Sequence, residues 1–301
     1  MKKELNYIKK GRKREVLFAV SILAVPLLWW VFSFSYTTLD SIALGFKEYD
    51  PLTHESVFCG FKNFGRVFAD LFSSDGVLNV SLKNSLLLWI VNVCVSIPVA
   101  VIVSFALHKN VYGAGIFKVV LFLPSIVSSM VWILIYKTFI EYGLRQNWLI
   151  NPATNFAALW IYMLWLGFAG NMVMYTGAMS RIPPSLVEAG HLDGMTDIQE
   201  FFHIVLPLIF PTLSVVFTTC IIAVFTIQLP VYAFYGQVVS VSPESSHLYT
   251  LGFYTFIKGL GQDPTETPLI SALSTLVCLL AAPITLGIRR LLTKIGPTVE
   301  Y

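Results

Sequence analysis

Charge is what this sequence has least of. Asp, Glu, Lys and Arg make up 12% of its 301 residues, where a soluble domain of that length carries about a quarter. With 56% hydrophobic residues and a mean hydropathy of +0.72, a water-solvated globule is set aside and membrane insertion becomes the leading class. Cysteine is scarce too. Cys59, Cys94, Cys220 and Cys278 show no metal-binding or redox spacing. Three of them fall in apolar runs, where a small thiol simply packs; Cys59 stands alone in a loop, so no internal disulfide is expected. A phosphate-binding loop of the form G-x-x-x-x-G-K-[ST] occurs nowhere, which argues against an ATPase site in this chain. No small-residue cleavage pattern follows the first apolar run, and at about 21 residues that run is too long for the core of a secretory signal. Internal repeats, low-complexity tracts and a separate soluble domain are absent as well.

What is there is a set of six apolar runs, at residues 16–36, 84–107, 116–136, 156–179, 208–234 and 269–288. Each reaches about 20 residues, the length a helix needs to cross hydrocarbon, and none alternates as a spanning β-strand would. The expected fold class is an all-α membrane protein: a basic tail at 1–15, then one transmembrane domain over 16–301 with six helices. Lys and Arg set the orientation. With the N terminus inside, thirteen of them fall on the cytoplasmic side and seven on the other. That bias places both termini and the loop 181–206 in the cytoplasm. The net charge of +3 is thus a topology signal, and no nucleic-acid partner is expected.

Two loops carry pattern. In the outer loop, 37–83, Phe64, Val67, Phe68, Leu71 and Phe72 recur with helical spacing. Asn63 stands where an N-cap is expected, and the amphipathic helix would lie on the outer bilayer surface or on neighbouring helices. The loop 236–268 includes an apolar run at 248–257 that is too short to span. The inner loop is the more informative. Ser185-Leu-Val-Glu188 has the form of a capping box, as has Thr196-Asp-Ile-Gln199. Gly194 stands where a helix closes in a left-handed cap. Two short helices hinged at Gly194 are expected, the second ending at Leu206-Pro207, with Pro207 and Pro211 in the first turns of the fifth span. Ala189 and Gly190 offer a small-residue surface for close approach. Glu188 is either a capping residue, a contact for a partner, or both.

The residues Glu188-Ala189-Gly190-x-x-Asp193-Gly194, followed by Phe202, Ile204 and Leu206-Pro207, resemble the EAA loop of bacterial ABC-importer permeases, typically E-A-A-x-x-D-G-A with a later I-x-L-P. Gly190 and Met195 replace alanines of that pattern. Phe58-Cys-Gly60-Phe-Lys-Asn63-Phe64 resembles the F-x-G-x-x-N-F of carbohydrate-importer permeases. Phe117-Lys118, leading to Leu123-Pro124, resembles the entry of their third helix. The resemblance covers nearly the whole chain and is nearest the maltose type. It implies the type I ABC importer permease fold in a bacterial inner membrane, embedded in lipid. It further implies a second homologous permease subunit, two cytosolic ATPase subunits that bind ATP and Mg, and an extracytoplasmic solute-binding protein. No cofactor or metal would be held by this chain. Glu188 and Asp193 would be polar contacts to the ATPase, with Ala189, Gly190 and Gly194 giving fit and bend. The solute would be a sugar or oligosaccharide, although the loop itself reports energy coupling and not cargo.

For a solute path, polar groups inside spanning helices are the first candidates: Asn171 and Tyr175 in the fourth run, and Ser214, Thr218, Phe225 and Gln228 in the fifth. Gln228 stands out because Pro230 frees a backbone carbonyl beside it. The plainer reading of these hydroxyls and amides is hydrogen bonding between helices. Pro26, Pro98, Pro124 and Pro283 mark further candidate kinks. A secondary transporter would place ionisable groups at mid-membrane, and the runs hold essentially none. An intramembrane enzyme would need clustered acids and histidines. The inner loop offers His191, Asp193, Asp197, Glu200 and His203, of which Glu200 and His203 have metal-ligand spacing without a second pair, so solvated helix faces are expected.

Overall fold

The computed structural model describes residues 2–74, 76–109, 111–145, 148, 151, 154–235, 248–261 and 263–296. Residues 236–247, the start of the loop expected over 236–268, lie outside the described residues. The chain begins with one long helix, α1 (Lys2–Gly45), that takes the basic tail into the first apolar run. A hairpin follows, β1 (Lys47–Asp50) antiparallel to β2 (Glu55–Phe58), with Lys47 opposite Phe58. Helix α2 (Lys62–Phe72) then buries Phe64 and Val67, while Phe68 and Phe72 stay exposed. Asn63 does not cap it, since Phe61 holds the N-cap position. Instead the buried Asn63 amide donates to the carbonyls of Gly45 (3.1 Å) and Lys47 (2.6 Å), tying the end of α1 to the hairpin.

The second span starts seven residues before its apolar run. It comprises α3 (Val77–Val91), a five-residue π turn at Asn92–Ser96 and α4 (Ile97–His108). Pro98 explains the wide turn, because a residue without an N–H cannot bond back to the preceding turn. The third run divides at Val127 and Ser128 into α5 (Ala114–Ile126) and α6 (Ser129–Thr138), which ends in another π turn, Phe139–Gly143. Helix α7 (Asn155–Met179) is unbroken. Next come α8 (Pro184–Leu192), α9 (Asp197–Glu200), a π turn at Phe201–Val205 and α10 (Leu206–Leu208). The axis then turns by 67° into α11 (Phe210–Thr226). Helices α12 (Leu229–Tyr235), α13 (Leu251–Leu260) and α14 (Thr267–Ile295) complete the chain. Pro26 and Pro283 sit within continuous helices.

The six apolar runs therefore do not become six straight helices. Among the described residues four helices are long and apolar enough to cross a membrane, and the bent pair leading into α11 makes a fifth. Apolar side chains along α1 and α5 remain exposed, as suits groups that face lipid or another chain. In hydrocarbon, helices are held by close packing of small residues and by hydrogen bonds. Ala100, Ala158, Ala169 and Ala272 are accordingly buried, and Gly45 approaches the backbone of Ala272 so closely that a Cβ on it would stand 3.2 Å away. One buried cluster joins α4, α7 and α11 through Ala100, Tyr175 and Val216. Another joins α6, α7, α12 and α13 through Ile133, Tyr162, Phe234 and Phe253.

Candidate functional site

The polar segment between α7 and α11 is built to hold one shape. Pro183 is in extended conformation at the N-cap of α8, and Ser185 lies inside the helix with no capping bond. The capping box expected at Ser185 and Glu188 does not form, because the helix starts two residues earlier, with Pro183 at the N-cap and Pro184 at the first helical position. At the other end Asp193 closes α8, and Gly194 takes φ +81°. Met195 N–H donates to Gly190 C=O at 3.0 Å and Gly194 N–H to His191 C=O at 3.1 Å, the paired bonds of a Schellman turn. Thr196 forms the expected capping box: its N–H donates to Gln199 Oε1 (2.9 Å), and Gln199 N–H donates to Thr196 Oγ1 (3.4 Å). Beyond it the π turn lets the chain pass Pro207, the same local answer found at Pro98.

Gly190 is the buried residue of α8. A Cβ on it would meet Ile204 Cδ1 at 3.2 Å and Met195 Sδ at 3.3 Å. The two departures from the alanine-rich pattern thus answer one another: a smaller residue at 190 makes room for a larger one at 195. Glu188, Ala189 and Asp193 face outward, and the Glu188 side chain has no partner among the described residues. Around them Leu192 is 89% exposed and Ile198 72%, an apolar surface on a polar segment. Sequence reading passed over both, although isolated apolar residues amid acids were the available signal.

Glu200 is not on a solvated face. It is 1% exposed, and its Oε2 lies 2.6 Å from Lys109 Nζ and 2.9 Å from His191 Nε2. Lys109 Nζ also reaches Asp197 Oδ1 at 2.9 Å. Burial acts to lower the Lys109 pKa, but its bonds to Glu200 and Asp197 outweigh that and leave it above the ordinary lysine value. The bond from Lys109 holds the Asp197 carboxyl below the usual carboxylate range. His191, Asp197 and Glu200 bring ligand atoms within 4.8 Å of one another, but the lysine ammonium already supplies the cation among them. His203, which shares metal-ligand spacing with Glu200, lies against Gln199 C=O through its Nδ1 at 2.9 Å and stays outside the group.

The candidates for a solute path separate into several places. Tyr175 is fully buried in the α4–α7–α11 cluster and packs rather than faces a cavity. Asn171 is half-buried on α7. Ser214 and Thr218 bond back along their own helix, to Phe210 C=O (2.9 Å) and Ser214 C=O (2.7 Å). They line a cavity of about 380 Å³ with Arg289 and Thr293 of α14. Phe225 and Gln228 line a larger one, about 630 Å³, with Thr226, Thr255, Ser274 and Thr285. Thr255, Ser274 and Thr285 were not singled out from the sequence, where a serine or threonine in an apolar run gives no sign of which way it points. Helix α11 ends at this cavity: Ile227 is extended, and its carbonyl accepts from Thr250 Oγ1 at 2.8 Å. The opening expected beside Pro230 is present.

Residues 71–299, more than half of the chain, match the family described as binding-protein-dependent transport system inner membrane component. A multiple sugar-binding transport system permease protein, MsmF, of Streptococcus mutans is 25% identical over 228 residues, covering 72% of this chain and 77% of that protein. The maltose/maltodextrin permease protein MalF of Escherichia coli is 29% identical over 252 residues, covering 75% of this chain and 47% of the relative. This chain thus spans about half the length of the maltose permeases it matches. A chain of a bacterial ABC transporter involved in the import of alginate superposes with a TM-score of 0.75 at 19% identity, over 97% of this chain and 100% of the other. A chain of the alginate transporter solved with its alginate-pentasaccharide-bound periplasmic protein gives 0.73 at 19% identity, over 96% and 99%. The shared fold is that of an ABC importer permease, and the chain belongs to the family of binding-protein-dependent transport system inner membrane components.

Proposed function

We propose that this chain is a membrane-spanning subunit of an ATP-driven importer for a sugar or oligosaccharide, and that the segment from α8 to α10 docks on a cytosolic ATPase subunit. The observation that carries this reading is the shape of that segment: a turn fixed by Schellman and capping-box bonds that presents acids and large apolar groups outward. Glu188 and Asp193 then make the polar contacts, Leu192 and Ile198 enter an apolar cleft, and Ala189, Gly190 and Gly194 set fit and bend. The N terminus and this segment lie in the cytoplasm of a bacterial cell. ATP and Mg bind to the two ATPase subunits, since this chain has no phosphate loop. A sister permease completes the path by covering the α11–α14 face, and an extracytoplasmic binding protein delivers the solute. The named relatives, which transport sugars, and the polar and aromatic lining at Phe225, Gln228, Thr255 and Ser274 support a carbohydrate. Ser214, Thr218 and Asn171 line the remainder of the path.

The test is to tag the chain, extract it in mild detergent and identify what accompanies it. An ATPase subunit and a second permease are expected, with the ATPase lost from Glu188→Lys while membrane insertion persists. A chain that purifies alone and moves solute without ATP would overturn the assignment.

A further inference from the structure

We infer that Lys109 and the buried Glu200 are positioning residues for energy coupling: they fix the docking segment to the second spanning helix, so that displacement of α8 moves α4 instead of bending the turn at Gly194. The inference rests on the docking role proposed for that segment. The end of α4 and two neighbouring elements of the segment, α8 and α9, converge on one ammonium. Lys109 follows the end of α4; its Nζ lies 2.6 Å from Glu200 Oε2 and 2.9 Å from Asp197 Oδ1, both on α9. It lies 3.4 Å from His191 Nε2 on α8. The His191–Glu200 contact of 2.9 Å closes the group across the turn. One turn back along α4, the Phe105 ring packs on Phe201 with centroids 5.1 Å apart.

The chemistry of the pair makes this joint stiff. Apolar contacts between helices can slide, since one methyl replaces another at little loss. A carboxylate buried as deeply as Glu200 is tolerated only while a counter-charge stays within bonding reach. Any motion that drew α9 away from Lys109 would take the ammonium from that buried carboxylate and leave it only the His191 ring, 2.9 Å away. The segment and α4 therefore move together. From α4 the motion passes inward, because Ile97, Ala100 and Val101 share a buried cluster with Tyr175 and Met179 of α7. Glu200 lies beneath the docking surface, too buried to touch an ATPase itself.

The experiment uses the complete importer in proteoliposomes, with this chain carrying Lys109→Met, Glu200→Gln or Lys109→Arg. Retained ATPase subunit, ATP hydrolysis and solute uptake are measured on equal amounts of assembled complex. Lys109→Met and Glu200→Gln should keep the ATPase subunit but lower uptake per ATP hydrolysed by at least about fivefold, the lower end of ordinary coupling between sites. Lys109→Arg, which keeps the charge, should stay close to the unsubstituted protein. Unchanged uptake per ATP in both neutral variants would refute the joint and leave the importer reading standing. Loss of ATPase subunit in parallel with uptake would also refute it, since the pair would then serve docking or folding alone. Should Lys109→Met fail to assemble, Glu200→Gln, which preserves shape and removes the charge, decides the matter. If the unsubstituted chain brings no ATPase subunit with it, the functional reading itself falls and takes the joint with it.

Discussion

Substituting Gly194 separates two reasons for having a glycine at the turn. Its φ of +81° lies in the left-handed region, and a Cβ there would meet nothing within 4 Å among the described residues. Crowding inside the chain contributes nothing, so Gly194→Ala costs only the backbone penalty, about 1–2 kcal/mol. That is a factor of about 5–30 in the population of the opened turn. Asparagine enters the left-handed region more readily and should cost less than alanine. Proline cannot reach positive φ and has no N–H for His191 C=O, now 3.1 Å away. The helix-breaking cost of about 3 kcal/mol or more corresponds to over about 100-fold. Hydrogen exchange over residues 184–208, read by mass spectrometry in detergent, should rise in the order Gly, Asn, Ala, Pro, with the spanning helices unchanged. Exchange in Gly194→Ala as slow as in the parent would refute the backbone argument. Uptake measured alongside separates the second reason. If asparagine harms uptake more than alanine while exchange keeps the stated order, the glycine is needed for the approach of a partner surface.

Gly252→Ala should destabilise the whole chain, because its Cβ would lie 2.8 Å from Ile227 O and 2.9 Å from Thr226 C. Those are backbone atoms that cannot turn aside, and overpacking of this kind costs about 1–3 kcal/mol, visible as a lower thermal unfolding midpoint. Asn63→Ala should cost about 1–3 kcal/mol by the same assay, since the carbonyls of Gly45 and Lys47 lose their donor; Asn63→Asp, of equal size but without the N–H groups, should be no better. Met195→Ala should loosen the turn by leaving space beside Gly190, and adding Gly190→Ala should restore exchange protection, showing a favourable coupling of about 0.5 kcal/mol or more between the two sites. The Lys109–Asp197 contact should be insensitive to pH across the neutral range. The lowered acid contributes stability that is present above pH about 4 and lost only as pH falls through its folded value; the raised base contributes stability present below pH about 10 and lost as pH rises through its folded value. Exchange of the α9 amides in a variant with His108, His191 and His203 all replaced by Gln, corrected for intrinsic rate, should therefore be flat from about pH 5 to about pH 9.

Features written within a few neighbouring residues were legible in the sequence. The capping box at Thr196, the left-handed cap at Gly194 and the opening before Pro230 each depend on residues at most four apart, and each is found where the spacing placed it. The run at 156–179 agrees with α7 to within one residue, while 269–288 lies inside α14, which continues seven residues further. What failed depended on distant partners or on competition between local signals. Asn63 had the right place for a cap, but the carbonyls of Gly45 and Lys47 were better partners. Glu200 looked like one more surface acid because Lys109 is 91 residues away. Ser185 and Glu188 had capping-box spacing, yet Pro183 and Pro184 began the helix first. Tyr175 had the polarity of a path residue, and only the packing of α4 and α11 around α7 shows it to be interior.

Stiffness is unevenly distributed in this chain, and the unevenness suits an importer. The α8–α10 segment is over-determined: its angle is set by the Schellman bonds, the capping box, the fit of Met195 and Ile204 over Gly190, and the charges around Lys109. Losing one of these leaves three. The break between α11 and α12 has no ion pair among the described residues and is held by the Thr250 hydroxyl on Ile227 C=O and by the close seat of Gly252. A hydroxyl bond to a freed carbonyl can be exchanged for a helical bond or for water at small net cost, about 1 kcal/mol or less, whereas an ion pair around a buried carboxylate cannot. On the proposed docking role, a displacement delivered at α8 would not be absorbed where it enters. It would pass through α4 and α7 to the break beside Gln228, at the cavity proposed for the solute. Alternating access by a stiff lever and a bistable centre requires that order of stiffness; a soft turn at Gly194 with a rigid α11 would dissipate the motion before it reached the path.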